Sequence, residues 1–454
     1  MTAPASMLPV PPANAASRLA PTVYAARRGR LLELLGPRAA LVLSSAPERL
    51  RNGDTDYKFR QDSDILYLTG FTEPGTTLVL RPGHAETPFV MFVRPRDPAA
   101  ETWTGRRAGV EGAVRDFGAD AAFPASELDA KLPEILAGAE ELHFPFGRDA
   151  GLDATVSRAL ARLRAGERRG RRAPVRLVDA RLSVHELRLV KSPDEVAVQR
   201  RAAAITAEAH TAAMRAARPG VNEGELEALI DYTFRRRGGA GPGYPTIVGG
   251  GANATILHYV ENNAPLVRGE LVLVDAGCEV DGYTADVTRT FPVGARFSEP
   301  QRRLYETVLE AQLAAIEAVK PGATIDAIHD QVLASLTRGL VALGLLAGTA
   351  DDVPKLVETG AYKPFYMHRT SHWLGMDVHD VGFYSEDGVA RPLAPGMVLT
   401  VEPGLYIAAD AAGPPEYRGL GVRIEDDILV TTAGHENLTA ETPKSVEDLE
   451  KLTT

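Results

Sequence analysis

An acidic residue inside an apolar strand needs a partner, because a buried carboxylate left unpaired costs more than the packing around it returns. Four acids in this sequence raise that question. Asp275 ends the apolar run LVLVD, and Asp286 begins the next strand-like stretch eleven residues later, with Gly277 and Gly282 in the connection. Glu402 directly follows VLTV, and Glu425 lies in GVRIEDDILV twenty-three residues further on. Both spacings suit an antiparallel pair, so two hairpins would bring four carboxylates to one place. Any one of these acids alone reads as a turn or strand-end salt bridge. Together they call for about four positive charges, which two divalent cations supply while preferring oxygen ligands.

Imidazoles are concentrated in HRTSHWLGMDVHD, where His368, His372 and His379 account for three of the ten histidines. Their spacings of four and seven, broken by Gly375, fit a loop or strand edge better than one helix face, so they suggest several contacts with one site. His258, in an ILHYV segment read as a strand before the Asp275 strand, is a further candidate with a structural role as its alternative. His84, His143, His185, His210, His329 and His435 read as surface or core residues. A donor set rich in carboxylate with one or two imidazoles favours Mn2+, Mg2+ or mixed hard ions over a thiolate zinc site. Two such ions imply a bridging hydroxide, a polarised carbonyl and a carboxylate that shuttles a proton to the leaving amine. The expected chemistry is metal-assisted hydrolysis.

These groups must be positioned by a large scaffold. With 454 residues the chain exceeds the roughly 250 to 300 at which single cores stop growing, which predicts two domains. The first reads as mixed α/β: a helix from Tyr24, short strands LVLSS, LVLRP and FVMFVRP, helices around Leu128 to Leu136 and Ala154 to Leu163, and the strand VRLVDA. A boundary near residues 180 to 192 separates a domain over 21–182 from one over 190–454. In the second domain Ser192, Pro193 and Glu195 form a capping box opening a helix that Pro219 and Gly220 stop, and Asn222 to Arg237 reads as a second helix. Strands TIVGG, ILHYV, ELVLVDAG and YTADVTRTF follow. Another helix pair then precedes strands MVLTVEPGLYI and GVRIEDDILVTT. Helices followed by strands, twice over, predict a pseudo-symmetric α/β domain around a central site.

Composition narrows the setting. An apolar fraction of 44% with 24% charged residues is that of an ordinary globular protein. A net charge of -10 argues against nucleic acid or an anionic membrane as partner. The cluster Arg162, Arg164, Arg168, Arg169, Arg171 and Arg172 reads as a solvated helix end and linker, given Gly166 and Gly170. Cys278 is the only cysteine, so no disulfide forms within the chain and a reducing compartment suits it. Residues 1–20 carry Pro4, Pro9, Pro11 and Pro12 and read as a disordered tail rather than a signal peptide. No run approaches the ~18 apolar residues of a membrane span. A cytoplasmic protein is expected.

Several motifs, in order, resemble one family. FRQDSDILYLTGFTEPGTTLVL and AETWTGRR look like the N-terminal domain of the bacterial Xaa-Pro aminopeptidases (aminopeptidase P), of the creatinase, prolidase and methionine aminopeptidase superfamily. TIVGG, ILHYVEN, LVLVDAG, YTADVTRTFPV, SHWLGMDVHD, LTVEPGLYI and RGLGVRIEDDILVT are similar to its pita-bread catalytic domain. The resemblance covers nearly all of the chain after residue 23. It implies metal ligands at Asp275, Asp286, His372, Glu402 and Glu425, holding two divalent cations, Mn2+ first with Zn2+, Co2+ or Mg2+ as alternatives. Glu402 would also assist proton transfer. His258, His368 and His379 would orient substrate and stabilise the tetrahedral intermediate, with Tyr406 and Arg423 lining the same site. Trp103 would approach a neighbouring subunit's site in a dimer or tetramer, its alternative being a core aromatic.

The implied reaction removes the residue ahead of a penultimate proline, whose nitrogen carries no N–H and whose ring fixes the local chain direction. An imidazole-lined pocket for the ring and a closed end admitting one residue are expected. The sequence departs from the usual pattern at Arg369 and Thr370, where a glycine commonly follows the histidine matching His368, and in GAGPGYPT, where Pro245 precedes Thr246. The nearest rival is a prolidase, restricted to dipeptides. Methionine aminopeptidase would leave the long N-terminal domain unexplained, and creatine-type hydrolysis needs no metal. The most different alternative is a nonenzymatic binding module on the same fold, which five intact ligand positions oppose.

Overall fold

The computed structural model describes residues 19–294 and 296–453. The tail expected over 1–20 therefore lies, as far as residue 18, outside the described residues. The chain divides into two compact units, with the break between Arg188 and Leu189.

In the first unit a six-stranded mixed sheet forms the core. Its strands are β1 (Ala39–Ser44), β2 (Thr77–Leu80), β3 (Phe89–Val93), β4 (Ala121–Pro124), β5 (Glu141–His143) and β6 (Arg176–Val178), in the order β4-β3-β2-β1-β5-β6. The three central strands pair antiparallel and the outer ones add parallel. Central strands buried on both faces explain the unbroken apolar runs TLVL and FVMFV. Helices α1 (Leu128–Leu136) and α2 (Ala150–Ala165) bury Leu132, Leu136, Val156 and Leu160 against Val42, Val79 and Phe92. Arg162, Arg164, Arg168, Arg171 and Arg172 are exposed around the end of α2, which is the solvated helix end read from the sequence.

The second unit repeats one pattern. Helices α3 (Pro193–Ala216) and α4 (Glu223–Arg236) each open with a capping box, Ser192 with Glu195 and Asn222 with Glu225. An antiparallel sheet follows, made of β7 (Ile247–Gly250), β8 (Leu271–Asp275) and β9 (Thr288–Pro292) in that order. Helices α5 (Glu299–Ala318) and α6 (Ile325–Ala342) begin the second round. Its strands are β10 (Val398–Val401), β11 (Gly404–Tyr406), β12 (Gly421–Arg423), β13 (Asp426–Val430) and β14 (His435–Asn437). They form an antiparallel sheet β10-β13-β14 and a short pair β11-β12. This is the pseudo-symmetric pita-bread arrangement. Among the described residues no helix is long and apolar enough to cross a membrane.

Two strand expectations fail. ILHYV is not a strand: Gly251–Thr255 form a 3-10 turn and the chain then runs as an irregular loop. β8 already has β7 and β9 on its two edges, so no ladder position is open. Hydrogen bonds to Glu223 hold the loop instead. That fully buried carboxylate accepts from Gly250 N (2.7 Å), Asn253 Nδ2 (3.0 Å), Tyr259 OH (3.0 Å) and Ala264 N (2.9 Å). YTADVTRTF is interrupted as well, at residues 285–287, and Asp286 sits in the interruption.

Candidate metal centre

Strand register determines which acids share a face. Asp275 pairs with Thr288, and Glu279 pairs with Thr284 in the same register beyond the interruption. Gly277 therefore faces Asp286, and Asp275 and Asp286 are diagonal neighbours on one face. A Cβ on Gly277 would strike the carbonyl oxygen of Ala285, so glycine is what allows the two strands to close here. Asp281 (φ 50°) and Gly282 (φ 83°) make the turn, as a tight hairpin requires. In the second sheet Val401 pairs with Asp426 and Gly404 with Arg423. Glu402 and Glu425 consequently stand directly opposite each other, an arrangement that is repulsive for like charges.

His372 reaches this face from a segment laid along β10. Thr400 N donates to His372 O (3.0 Å), Leu374 N to Val398 O (3.0 Å) and Glu402 N to Thr370 O (2.9 Å). The Nδ1 of His372 donates to Trp373 O at 3.0 Å. That fixes the tautomer and turns Nε2 toward Asp286 Oδ2 and Glu402 Oε1, both at 3.4 Å. A ring held by one nitrogen with the other facing carboxylates is how a metal-ligating histidine is oriented. Asp286, His372 and Glu425 offer donor atoms that all lie within 4.8 Å of one another, a group able to hold a metal ion.

Asp275 and Glu402 stand just outside that group. Asp275 Oδ1 accepts from Tyr244 OH (2.7 Å) and its Oδ2 pairs with Arg423 Nη2 (2.6 Å). Glu402 lies between His372 and His368, whose Nδ1 is 3.5 Å from Glu402 Oε2. Glu425 accepts from Thr288 Oγ at 2.6 Å. Glu425, Glu402 and Asp286 resist ionisation. Burial raises Glu425 well above the usual carboxylate range, and Asp286 and Glu402 beside it push the same way. Burial raises Glu402 to about 7 although His372 pulls it down, and burial likewise raises Asp286. Arg423 and His372 are the charged partners available, because burial and then Arg423 lower His368 to about 3. The chemistry of the donor set, four carboxyl groups and one oriented imidazole, fits divalent cations, whose charge would hold the carboxyl groups ionised.

The outer residues line one cavity of about 960 Å³ with the acids, including His258, His368, His379 and Arg423. The carbonyl of Arg369 accepts from His368 Nδ1 (2.8 Å). His368 Nε2 is then the acceptor for Tyr406 OH (2.9 Å), whose oxygen takes a hydrogen bond from Arg423 Nη1 (3.1 Å). His379 packs edge-on against His372 at 4.5 Å between ring centroids. His258 is exposed on the loop that Glu223 holds. Trp103 belongs to the first unit and is 88% exposed, which rules out its alternative as a core aromatic.

Sequence reasoning missed three groups. Tyr244 sits in the GPGYPT stretch noted for its prolines, yet its hydroxyl is the partner of Asp275. Asp426 and Asp427 directly follow Glu425 and were as visible as the four acids counted. Asp427 accepts from Asp286 N with both oxygens at 3.2 Å. Asp426 forms an ion pair with Arg289 at 2.7 Å in which neither side chain is exposed. A run of three acids entering an apolar strand was the available signal.

The family model described as Metallopeptidase family M24 matches residues 197–432, and that described as Aminopeptidase P, N-terminal domain, matches residues 24–143. The Xaa-Pro aminopeptidase of Escherichia coli is 48% identical over 427 residues, 94% of this chain and 96% of that one. The Xaa-Pro aminopeptidase of Haemophilus influenzae is 46% identical with the same coverage. Among solved structures, aminopeptidase PepP of Pseudomonas aeruginosa superposes with a TM-score of 0.93 at 45% identity, over 96% of this chain and 98% of that one. A variant of Escherichia coli aminopeptidase P in complex with substrate gives a TM-score of 0.92 at 46% identity, over 96% and 99%. From the two hairpins of acids, the two-domain fold and these near full-length likenesses, the chain belongs to metallopeptidase family M24, with the N-terminal domain of aminopeptidase P ahead of its catalytic domain.

Proposed function

We propose that this metallopeptidase hydrolyses the bond between an N-terminal residue and a penultimate proline. The observation that carries the reading is the convergence of Asp275, Asp286, Glu402 and Glu425 from two hairpins onto His372, in a chain nearly half identical to enzymes named for that activity. All five residues would hold two divalent cations, and an oxygen-rich set favours Mn2+. Bound there, the cations would supply Lewis acidity and a nucleophile at neutral pH. The protein's own groups do the rest. Glu402 carries a proton through its carboxylate to the departing proline nitrogen, which must gain one to leave. Tyr406 OH, backed by Arg423, would turn its proton from His368 Nε2 to the substrate carbonyl and meet the charge that develops on its oxygen, with His368 orienting the substrate beside it. His258 and His379 flank the proline ring.

Substrates are peptides with proline second, with no role for nucleic acid or membrane. The protein acts in the cytoplasm as a dimer or tetramer in which exposed Trp103 reaches a neighbouring subunit's site; a monomer by light scattering at micromolar concentration would contradict this assembly. The prolidase reading is tested with an Ala-Pro-Ala tripeptide. Release of alanine from it excludes a dipeptide-only enzyme, and cleavage of Ala-Pro alone would reinstate one.

A further inference from the structure

The cavity has a buried end and an open one. Asp275, Asp286, Arg423 and Glu425 are buried, whereas Asp326 and Arg369, which line the same cavity, are ion-paired with side chains 59% and 56% exposed. An exopeptidase holds the residue it releases at the closed end. The chain beyond proline must then leave over the exposed side, where this pair stands.

Arg369 is fixed at its backbone and adaptable at its tip. Its carbonyl receives His368 Nδ1, and the next residue, Thr370, is fully buried between His329 Nδ1 (2.8 Å) and Tyr366 OH (2.9 Å). Its guanidinium stands at the end of a long stem, beyond which the partner is a single carboxylate. Asp326 is on the first turn of α6, behind an N-cap in which Thr324 Oγ accepts from Ala327 N. A helix N-terminus stabilises its negative charge without help from Arg369. The carboxylate can therefore release the guanidinium, and a guanidinium is suited to receive another carboxylate in a fork.

We infer that Arg369 is a specificity-determining residue that binds a carboxylate on the residue following proline, exchanging Asp326 for it. The inference rests on the function proposed above. Two sources carry that group: an acidic side chain at the third position, or the free C-terminus of a tripeptide. Ala-Pro-Asp amide against Ala-Pro-Lys amide tests the first, and Ala-Pro-Ala acid against Ala-Pro-Ala amide the second.

In each pair kcat/KM should favour the carboxylate by about 1.5- to fivefold, the range of one partly exposed ion pair, with the difference mostly in KM. Arg369→Gln should bring that ratio close to one, Asp326→Asn should widen it, and 0.5 M NaCl should narrow it in the unmodified protein. Preference in one pair alone identifies the source. A ratio unchanged by Arg369→Gln, or narrowed by Asp326→Asn, would overturn the inference while leaving proline specificity intact. Failure of the unmodified protein to cut any of the four peptides would overturn both readings.

Discussion

Glu402 and Glu425 oppose each other across one antiparallel ladder, and that repulsion is relieved by holding a proton, as burial favours, or by binding a cation. Glu402→Gln keeps the shape and removes the proton carrier, so kcat on a proline tripeptide should fall by about 10² to 10⁴. Steady-state kinetics with metal content measured on the same sample checks it; a loss under tenfold would remove Glu402 from proton transfer. Tyr244→Phe deletes the hydroxyl that donates to Asp275. Losing such a supporting bond should weaken Mn2+ binding about 10- to 100-fold, read by calorimetry. At this scale the sequence was legible for the four acids, because a carboxylate in an apolar run is conspicuous. Of their supports, Arg423 was legible only through the family resemblance and Tyr244 not at all, since they lie one hundred and forty-eight and thirty-one residues from Asp275 and nothing local predicts such meetings.

Hairpins and capped helices announce themselves, and α3 and α4 start where Ser192 and Asn222 indicate. The His258 segment misled because its apolar alternation matches a strand, while the supply of free ladder edges is a property of the whole sheet. The His379 segment shows another non-local constraint. Lys191 Nζ meets Asp380 Oδ2 at 2.9 Å, each side chain 1% exposed, and a Cβ on Gly375 would strike that same carboxylate. Lys191→Met takes the cation from a buried acid and should cost about 3–5 kcal/mol. Urea denaturation reads it, and adding Asp380→Leu should restore much of the loss. A Lys191→Met protein as stable as the original would show the pair to be dispensable.

The molecule as a whole combines a unit that carries the chemistry with one whose stability has its own acid limb. In the first unit Asp64 meets Arg188 (2.6 Å) and His185 (3.2 Å). Burial works to raise Asp64, but Arg188 and then His185 outweigh it and hold the group below the usual carboxylate range. A depressed folded value gives stability that is complete above the unfolded pKa of about 3.9 and is lost as pH falls through the folded one. Asp64→Asn should flatten the fall of the urea midpoint below about pH 4, and an unaltered acid limb would assign the effect elsewhere. The two-unit layout was legible from length and from the turnover of patterns near residues 180–192.

This enzyme should cut before proline, and only with metal bound. The most direct measurement is release of alanine from Ala-Pro-Ala and from Ala-Ala-Ala by protein stripped of metal with a chelator, before and after Mn2+ is returned. The stripped protein should cleave neither peptide and, with Mn2+, should cleave the proline peptide alone. Cleavage without metal, or equal cleavage of both peptides, would contradict this.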